Sequence, residues 1–189
     1  MADPLLQLLL SANQLKRVPR MGWMMRGVSD TESVADHSYG VAVIALILAG
    51  RVDQSVDVGK LLTMALIHDL PEAILSDIPS PASAFLPSTT KRKAEVDALV
   101  ALTEGLVERD RWQDLWAEYA EQTSVEGRLV HDADRLDMLL QAYVYEQTTG
   151  NRWLEEFWAE TAPSMFACDV SRRLFAELCE ARQGLAAEN

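Results

Sequence analysis

His68 and Asp69 stand side by side in an apolar run, Ala65-Leu66-Ile67-His68-Asp69-Leu70-Pro71-Glu72. Such a run packs into an interior and takes the imidazole and the carboxylate with it. Burying either group without a partner costs several kcal/mol or more. A metal ion removes that cost by taking both as ligands. The fold must then deliver further ligands from distant segments. His37 lies on one side, and Asp132 and Asp134 lie on the other. Glu72 follows His68 by four residues, which at helical spacing puts it on the same face.

A chain of 189 residues, 49% apolar, suits a single domain over residues 1–189 with a sizeable core. The net charge of -12 argues against a nucleic-acid partner, which calls for a basic face. A small phosphorylated substrate is compatible with that charge, because local cations and a metal can hold one phosphate. No acidic residue occurs between Asp3 and Asp30, whereas Lys16, Arg17, Arg20 and Arg26 do. That stretch is either a solvated basic turn or a phosphate-facing edge.

Cys168 and Cys179 are eleven residues apart on one expected helix, about three turns, so they do not pair. This fits a reducing, cytoplasmic setting. The leucine-rich Leu5–Leu10 has no preceding basic residue and no small-residue cleavage site, so a signal peptide is not expected. The longest apolar run, Val41–Ala49, is nine residues, too short to span a bilayer, and no membrane partner is expected.

Nearly all of the chain reads as helix, with no repeat and no strand alternation. The spacing predicts a first helix with Pro4 near its start and a loop over Val18–Asp30. A second helix runs from a cap at Asp30 or Thr31 to Gly50, with Asp36 and His37 in its early turns. A third helix covers Val56–Ile74, bent where Pro71 cannot donate to the Ile67 carbonyl. Ser76–Thr90, with Pro79, Pro81 and Pro87, reads as a loop. Lys91–Glu108 and Trp112–Glu121 read as outer helices, and Val125–Thr149 as a long helix capped by Gly150. Trp153–Glu160 and Pro163–Ala187 close the bundle. Their aromatic stripes (Trp112 with Trp116, and Trp153, Phe157, Trp158) read as core. The fold class is all-α, a helical bundle with the metal site between central helices.

Asp132 and Asp134 lie about 200° apart around a helix, so one of them is expected to face outward. Apolar Val130 and Ala133 favour Asp134 as the inward one. Two imidazoles and two carboxylates suit one divalent transition ion, such as Mn, Co, Fe or Ni, and are compatible with Zn or Cu. The chain has three histidines. His131 is the sole spare and reads as a surface or outer-layer side chain. Glu72, one turn from His68, reads on its spacing alone as an outer partner orienting that ring. Trp23 reads equally as a seal of its loop onto the core, and Asp77 as the cap of a turn before Pro79.

The ordered set Leu15–Trp23, Glu32–His37, His68–Glu72, Ser76–Pro79 and Leu129–Met138 resembles the HD-domain metal-dependent phosphohydrolases, and within them the 5'-deoxynucleotidase branch. The resemblance covers roughly residues 5–180. It implies an HD-domain fold with His37, His68, Asp69 and Asp134 as metal ligands. It also implies hydrolysis of (deoxy)nucleoside 5'-monophosphates by metal-activated water, with Asp69 and Glu72 carrying the chemistry. Asp77 would accept from the sugar 3'-hydroxyl, Trp23 would pack beside the sugar, and the protein would be a homodimer. Two positions depart from the pattern. Gly22 stands where some members have arginine, with Arg20 or Arg26 as substitutes, and His131 stands where lysine is common. The alternatives are an HD-type hydrolase of another nucleotide ester, a di-iron oxygenase, and a non-catalytic helical interaction module.

Overall fold

The computed structural model describes residues 3–79, 82 and 85–188, with side chains through residue 184. Among the described residues the fold is all-α, and an isolated bridge joins Pro19 to Ser33.

Three helices form the centre: Val34–Ala49, Val58–Ile67 and Val125–Thr149. Their facing residues are apolar and fully buried, among them Val34, Val41, Ala45, Leu48, Leu61, Met64, Leu129, Ala133 and Leu139. Burying each of the larger ones contributes about 1.5–3 kcal/mol relative to exposure. This triangular core holds the three backbones in fixed relation and so fixes every polar group that projects from it.

The helix ends follow from side-chain chemistry. Ser33, not Asp30 or Thr31, caps Val34–Ala49. Its hydroxyl accepts the Asp36 N–H, and the Asp36 carboxylate accepts the Ser33 N–H at 2.9 Å. This reciprocal pair satisfies two of the amides a helix start leaves free. His37 is thereby placed in the first turn. The third expected helix ends at Ile67 rather than Ile74. Pro71 has no amide hydrogen, and the Ile67 carbonyl accepts from Leu70 at 3.1 Å instead. A separate turn, Glu72–Leu75, follows. Gly150 has φ +66 and ends the long helix as expected.

Outer elements cover the centre: Pro4–Gln14, Ser88–Leu102, Arg109–Glu121 and Asp169–Glu188. The expected outer helices thus begin earlier than the sequence suggests, and the first of them ends at Leu102. The expected loop at Val18–Asp30 contains a helical turn, Met21–Met24. Within the expected loop at Ser76–Thr90, Pro81 lies outside the described residues. Of the aromatic stripes, Trp116 and Trp158 are buried, but Trp153 is 78% exposed and belongs to no core.

Glu126 ties two central helices together. It is buried, accepts the Asp57 N–H at 2.8 Å and pairs with Lys60 at 3.3 Å. Glu126→Ala leaves that amide without its acceptor and is expected to lower unfolding free energy by about 1–3 kcal/mol. Glu126→Gln keeps an acceptor and is expected to lose less. Urea denaturation measures both, and an unchanged midpoint in Glu126→Ala would contradict the role.

Candidate metal centre

The long helix and the two other central helices converge on His37, which is fully buried, and His68, which is 4% exposed. Each ring has its Nδ1 engaged. His68 Nδ1 lies 2.8 Å from the Ala65 carbonyl oxygen, an obligate acceptor, so Nδ1 carries the proton. His37 Nδ1 lies 2.7 Å from Asp137 Oδ2. Among the described residues the two Nε2 atoms are buried without a hydrogen-bond partner. They face carboxylates: His68 Nε2 is 3.2 Å from Asp69 Oδ2, and His37 Nε2 is 3.7 Å from the same oxygen. Asp134 Oδ1 is 3.2 Å from His37 Nε2.

These separations fit the residues to a cation. Neighbouring ligands around a six-coordinate ion with bonds of about 2.1 Å stand roughly 3 Å apart. His37, His68 and Asp69 offer ligand atoms that all lie within 4.8 Å of one another, and Asp134 approaches from the His37 side. Buried ring nitrogens aimed at carboxylates call for a positive charge between them, which a proton supplies in the metal-free protein and a cation supplies in its place.

The charges around the cluster reinforce this. Burial and Arg20 work against a proton on His37, but Asp134 and Asp137 outweigh them and raise it to about 10. Burial would raise Asp69, yet His68, Arg20 and His37 hold its carboxyl well below the usual carboxylate range. Asp134 is likewise held down to about 2, by His37 and His68 against burial. Both carboxylates are therefore ionised and available. Burial, with Asp69 and Asp77 adding repulsion, pushes Glu72 up to about 9. Arg20 works the other way, as does any further positive charge in the cluster.

A cavity of about 660 Å³ opens beside these groups. Glu72 enters it from the turn after Pro71, with Oε2 buried and unpartnered. Arg20 lines it, 3.3 Å from Asp69 and 3.8 Å from Asp77. The Pro19–Ser33 bridge holds the Arg20 segment against the start of the helix that carries His37. Asp77 accepts the Met21 N–H at 2.6 Å, and the preceding Ser76, at φ +61, turns the chain back to allow it. Trp23 is buried, donates to Glu32 at 2.8 Å and packs 4.3 Å from the Phe157 ring at the apolar wall. His131 also lines the cavity, stacked 4.4 Å from Tyr119, with its Nε2 unpartnered.

Two expectations are corrected. Arg26 does not reach the cavity. Its guanidinium pairs with Glu156 at 2.6 Å and lies over Phe157. Asp132 points away from the centre, as expected of the competitor of Asp134, but it is not at the surface. It is 1% exposed and accepts the Ala167 and Cys168 N–H groups at 2.9 and 3.0 Å. The structure also adds Lys91, Arg92 and Arg135 to the cavity wall. The Lys91-Arg92-Lys93 triplet was the available signal, since it sets three cations at the head of a helix. A larger concavity, about 750 Å³, lies elsewhere beside Trp158. Its Arg182 is engaged by Glu146 and Glu155, and among the described residues no histidine lines it.

The HD domain (HD_3) family matches residues 12–166. The chain is 40% identical over 163 residues to the 5'-deoxynucleotidase HDDC2 of Danio rerio, spanning 84% of this chain and 78% of that protein. The 5'-deoxynucleotidase HDDC2 of Homo sapiens is 38% identical over 164 residues, spanning 85% and 78%. Among solved structures, a conserved hypothetical protein from Pyrococcus furiosus superposes with a TM-score of 0.77. It is 41% identical, covering 94% of this chain and 99% of that one.

The two neighbouring aspartates separate by experiment. Asp134→Ala is expected to lower cation affinity by more than about tenfold. Asp132→Ala is expected to cost about 2–4 kcal/mol of stability through two lost amide bonds while leaving bound metal per chain unchanged. Metal analysis after dialysis and urea unfolding read these effects. Loss of metal in a folded Asp132→Ala protein would reverse the assignment.

Proposed function

This chain belongs to the HD-domain family, and we propose that it is a metal-dependent phosphomonoesterase releasing phosphate from deoxynucleoside 5'-monophosphates. The observation that supports the reading is the pair of buried, unpartnered Nε2 atoms facing Asp69 and Asp134, with Glu72 and Arg20 at the edge of a cavity beside them. The relatives' naming as 5'-deoxynucleotidases supports the substrate class. Residues 1–189 are read as a single HD domain.

His37, His68, Asp69 and Asp134 hold one divalent ion, with Mn, Co, Fe or Ni suited to the mixed nitrogen and oxygen donors. When bound, such an ion supplies Lewis acidity, lowering the pKa of coordinated water towards about 7 in favourable sites and polarising a phosphate oxygen. The remaining work falls to side chains. Glu72 takes a proton from the attacking water through its unpartnered Oε2. Arg20 braces Asp69 and Asp77 and contributes positive charge to the phosphate side. Lys91 and Arg135 line the same cavity and add to that charge. Asp77 takes a sugar hydroxyl, while Trp23 and Phe157 form the wall that packs against the nucleoside and excludes water.

The extra cations favour a second reading, hydrolysis of a nucleotide carrying more phosphate than a monophosphate. Homodimerisation belongs to the main reading and is supported by uncovered apolar surface, since Leu5, Leu6, Leu9 and Leu10 are each 51–59% exposed. A cytoplasmic location fits the free Cys168 and Cys179. Among the described residues no helix is long and apolar enough to cross a membrane.

Phosphate release from a panel of ribo- and deoxyribonucleoside mono- and triphosphates tests the reading. The expected result is turnover of deoxynucleoside monophosphates that chelation abolishes and Mn²⁺ or Co²⁺ restores. Full activity after exhaustive chelation, or turnover of triphosphates alone, would contradict it. Asp69→Ala is expected to lose both metal and activity. Glu72→Gln is expected to keep the metal and slow turnover by about 10²–10⁴. Metal loss in step with rate would make Glu72 a ligand instead.

A further inference from the structure

The outer side of the His37 ring carries its own machinery. Asp137 lies three residues beyond Asp134 on the long helix, on the same face. Its Oδ2 sits 2.7 Å from His37 Nδ1, with 14% of the Asp137 side chain exposed. Room for this carboxylate comes from Gly40, three residues after His37 on the facing helix. A Cβ at Gly40 would stand 2.0 Å from Asp137 Oδ1 and 2.8 Å from Cγ, inside any tolerable contact. The nearest atoms it would meet all belong to Asp137. A glycine inside a helix costs about 1 kcal/mol relative to alanine. Here the missing methyl opens the one space the carboxylate occupies.

We propose that Gly40 and Asp137 act as one positioning device for the cation centre. Asp137 accepts the Nδ1 proton of His37, which fixes the tautomer whose Nε2 lone pair faces Asp69 and Asp134. Gly40 admits the carboxylate to that position. The device distinguishes the two imidazoles. His68 is oriented by a neutral acceptor, the Ala65 carbonyl, whereas His37 is oriented by a carboxylate. A carboxylate partner raises the basicity of the opposite nitrogen, so His37 is the stronger donor of the two. The proposal rests on the metal centre of the preceding reading and is independent of which phosphate ester is the substrate.

The test is Mn²⁺ binding to metal-free protein by titration calorimetry, comparing the wild type with Gly40→Ala, Asp137→Ala and the double variant. Urea unfolding shows whether each is folded. Each single change is expected to weaken Mn²⁺ binding by about 10–100-fold. The double variant is expected to bind no worse than Asp137→Ala, because both changes break the same contact. If Gly40→Ala alone does not fold, the double variant is expected to fold, since Asp137→Ala removes the atoms the new methyl meets. In the metal-free protein, the proton NMR signal of His37 Nδ1–H is expected to shift or vanish in both single variants, a change that mere loss of stability does not produce.

Unchanged Mn²⁺ affinity in folded Asp137→Ala overturns the proposal, and additive losses in the double variant overturn the coupling to Gly40. Absence of Mn²⁺ binding in the wild type would remove the metal centre itself. Failure of the nucleotide panel alone would leave these binding results intact.

Discussion

His37 and His68 each place a ring nitrogen in the interior with no hydrogen-bond partner, and both nitrogens face carboxylates. Water has little access to these atoms, so their desolvation is not recovered from solvent. Folding must bring four polar groups, from two helices and the turn that follows a third, to one point and compensate them there. The apolar core makes this feasible, because Val41, Ala45, Met64 and Ala133 bury enough surface to hold the helices rigidly around a costly polar centre. A cation between the ring nitrogens and the carboxylates turns that cost into coordination energy.

The same constraint organises the next layer. Each imidazole has its other nitrogen fixed, one by a backbone carbonyl and one by Asp137. Asp69 also carries Arg20, which reaches on to Asp77, so both carboxylates and the cation-rich wall of the cavity share one network. Trp116 donates to the His68 carbonyl oxygen at 2.9 Å and anchors the turn after the helix. Glu72 stands apart, with an unpartnered oxygen and a pKa pushed upward by burial and neighbouring carboxylates.

Much of this was legible in the sequence because it depends on local rules. Hydrophobic spacing marked the central helices, Gly150 marked an end, and Pro71 marked the break beside His68. The preference for Asp134 over Asp132 leaned on the family resemblance, since apolar neighbours flank both and Asp132 is the more buried of the two. The misses share a different cause. Arg26 is drawn from the cavity by Glu156, which lies 130 residues away in sequence, and no local pattern announces such a partner. Asp132 is buried because the Ala167–Cys168 amides need an acceptor, a demand that appears only when the chain returns. Lys91 and Arg92 join the cavity because the outer helix Ser88–Leu102 folds over it, and Arg135 reaches it from the long central helix. Nothing local marks Gly40, because the carboxylate that needs its missing methyl comes from Asp137 on another helix.

The central claim is that one cation sits among His37, His68, Asp69 and Asp134. Anomalous diffraction from crystals grown with Co²⁺ tests it most directly. The expected map has one strong peak about 2.0–2.3 Å from both Nε2 atoms and from an oxygen of each aspartate. A map with no peak there, or with cobalt bound only elsewhere on the surface, would contradict the account.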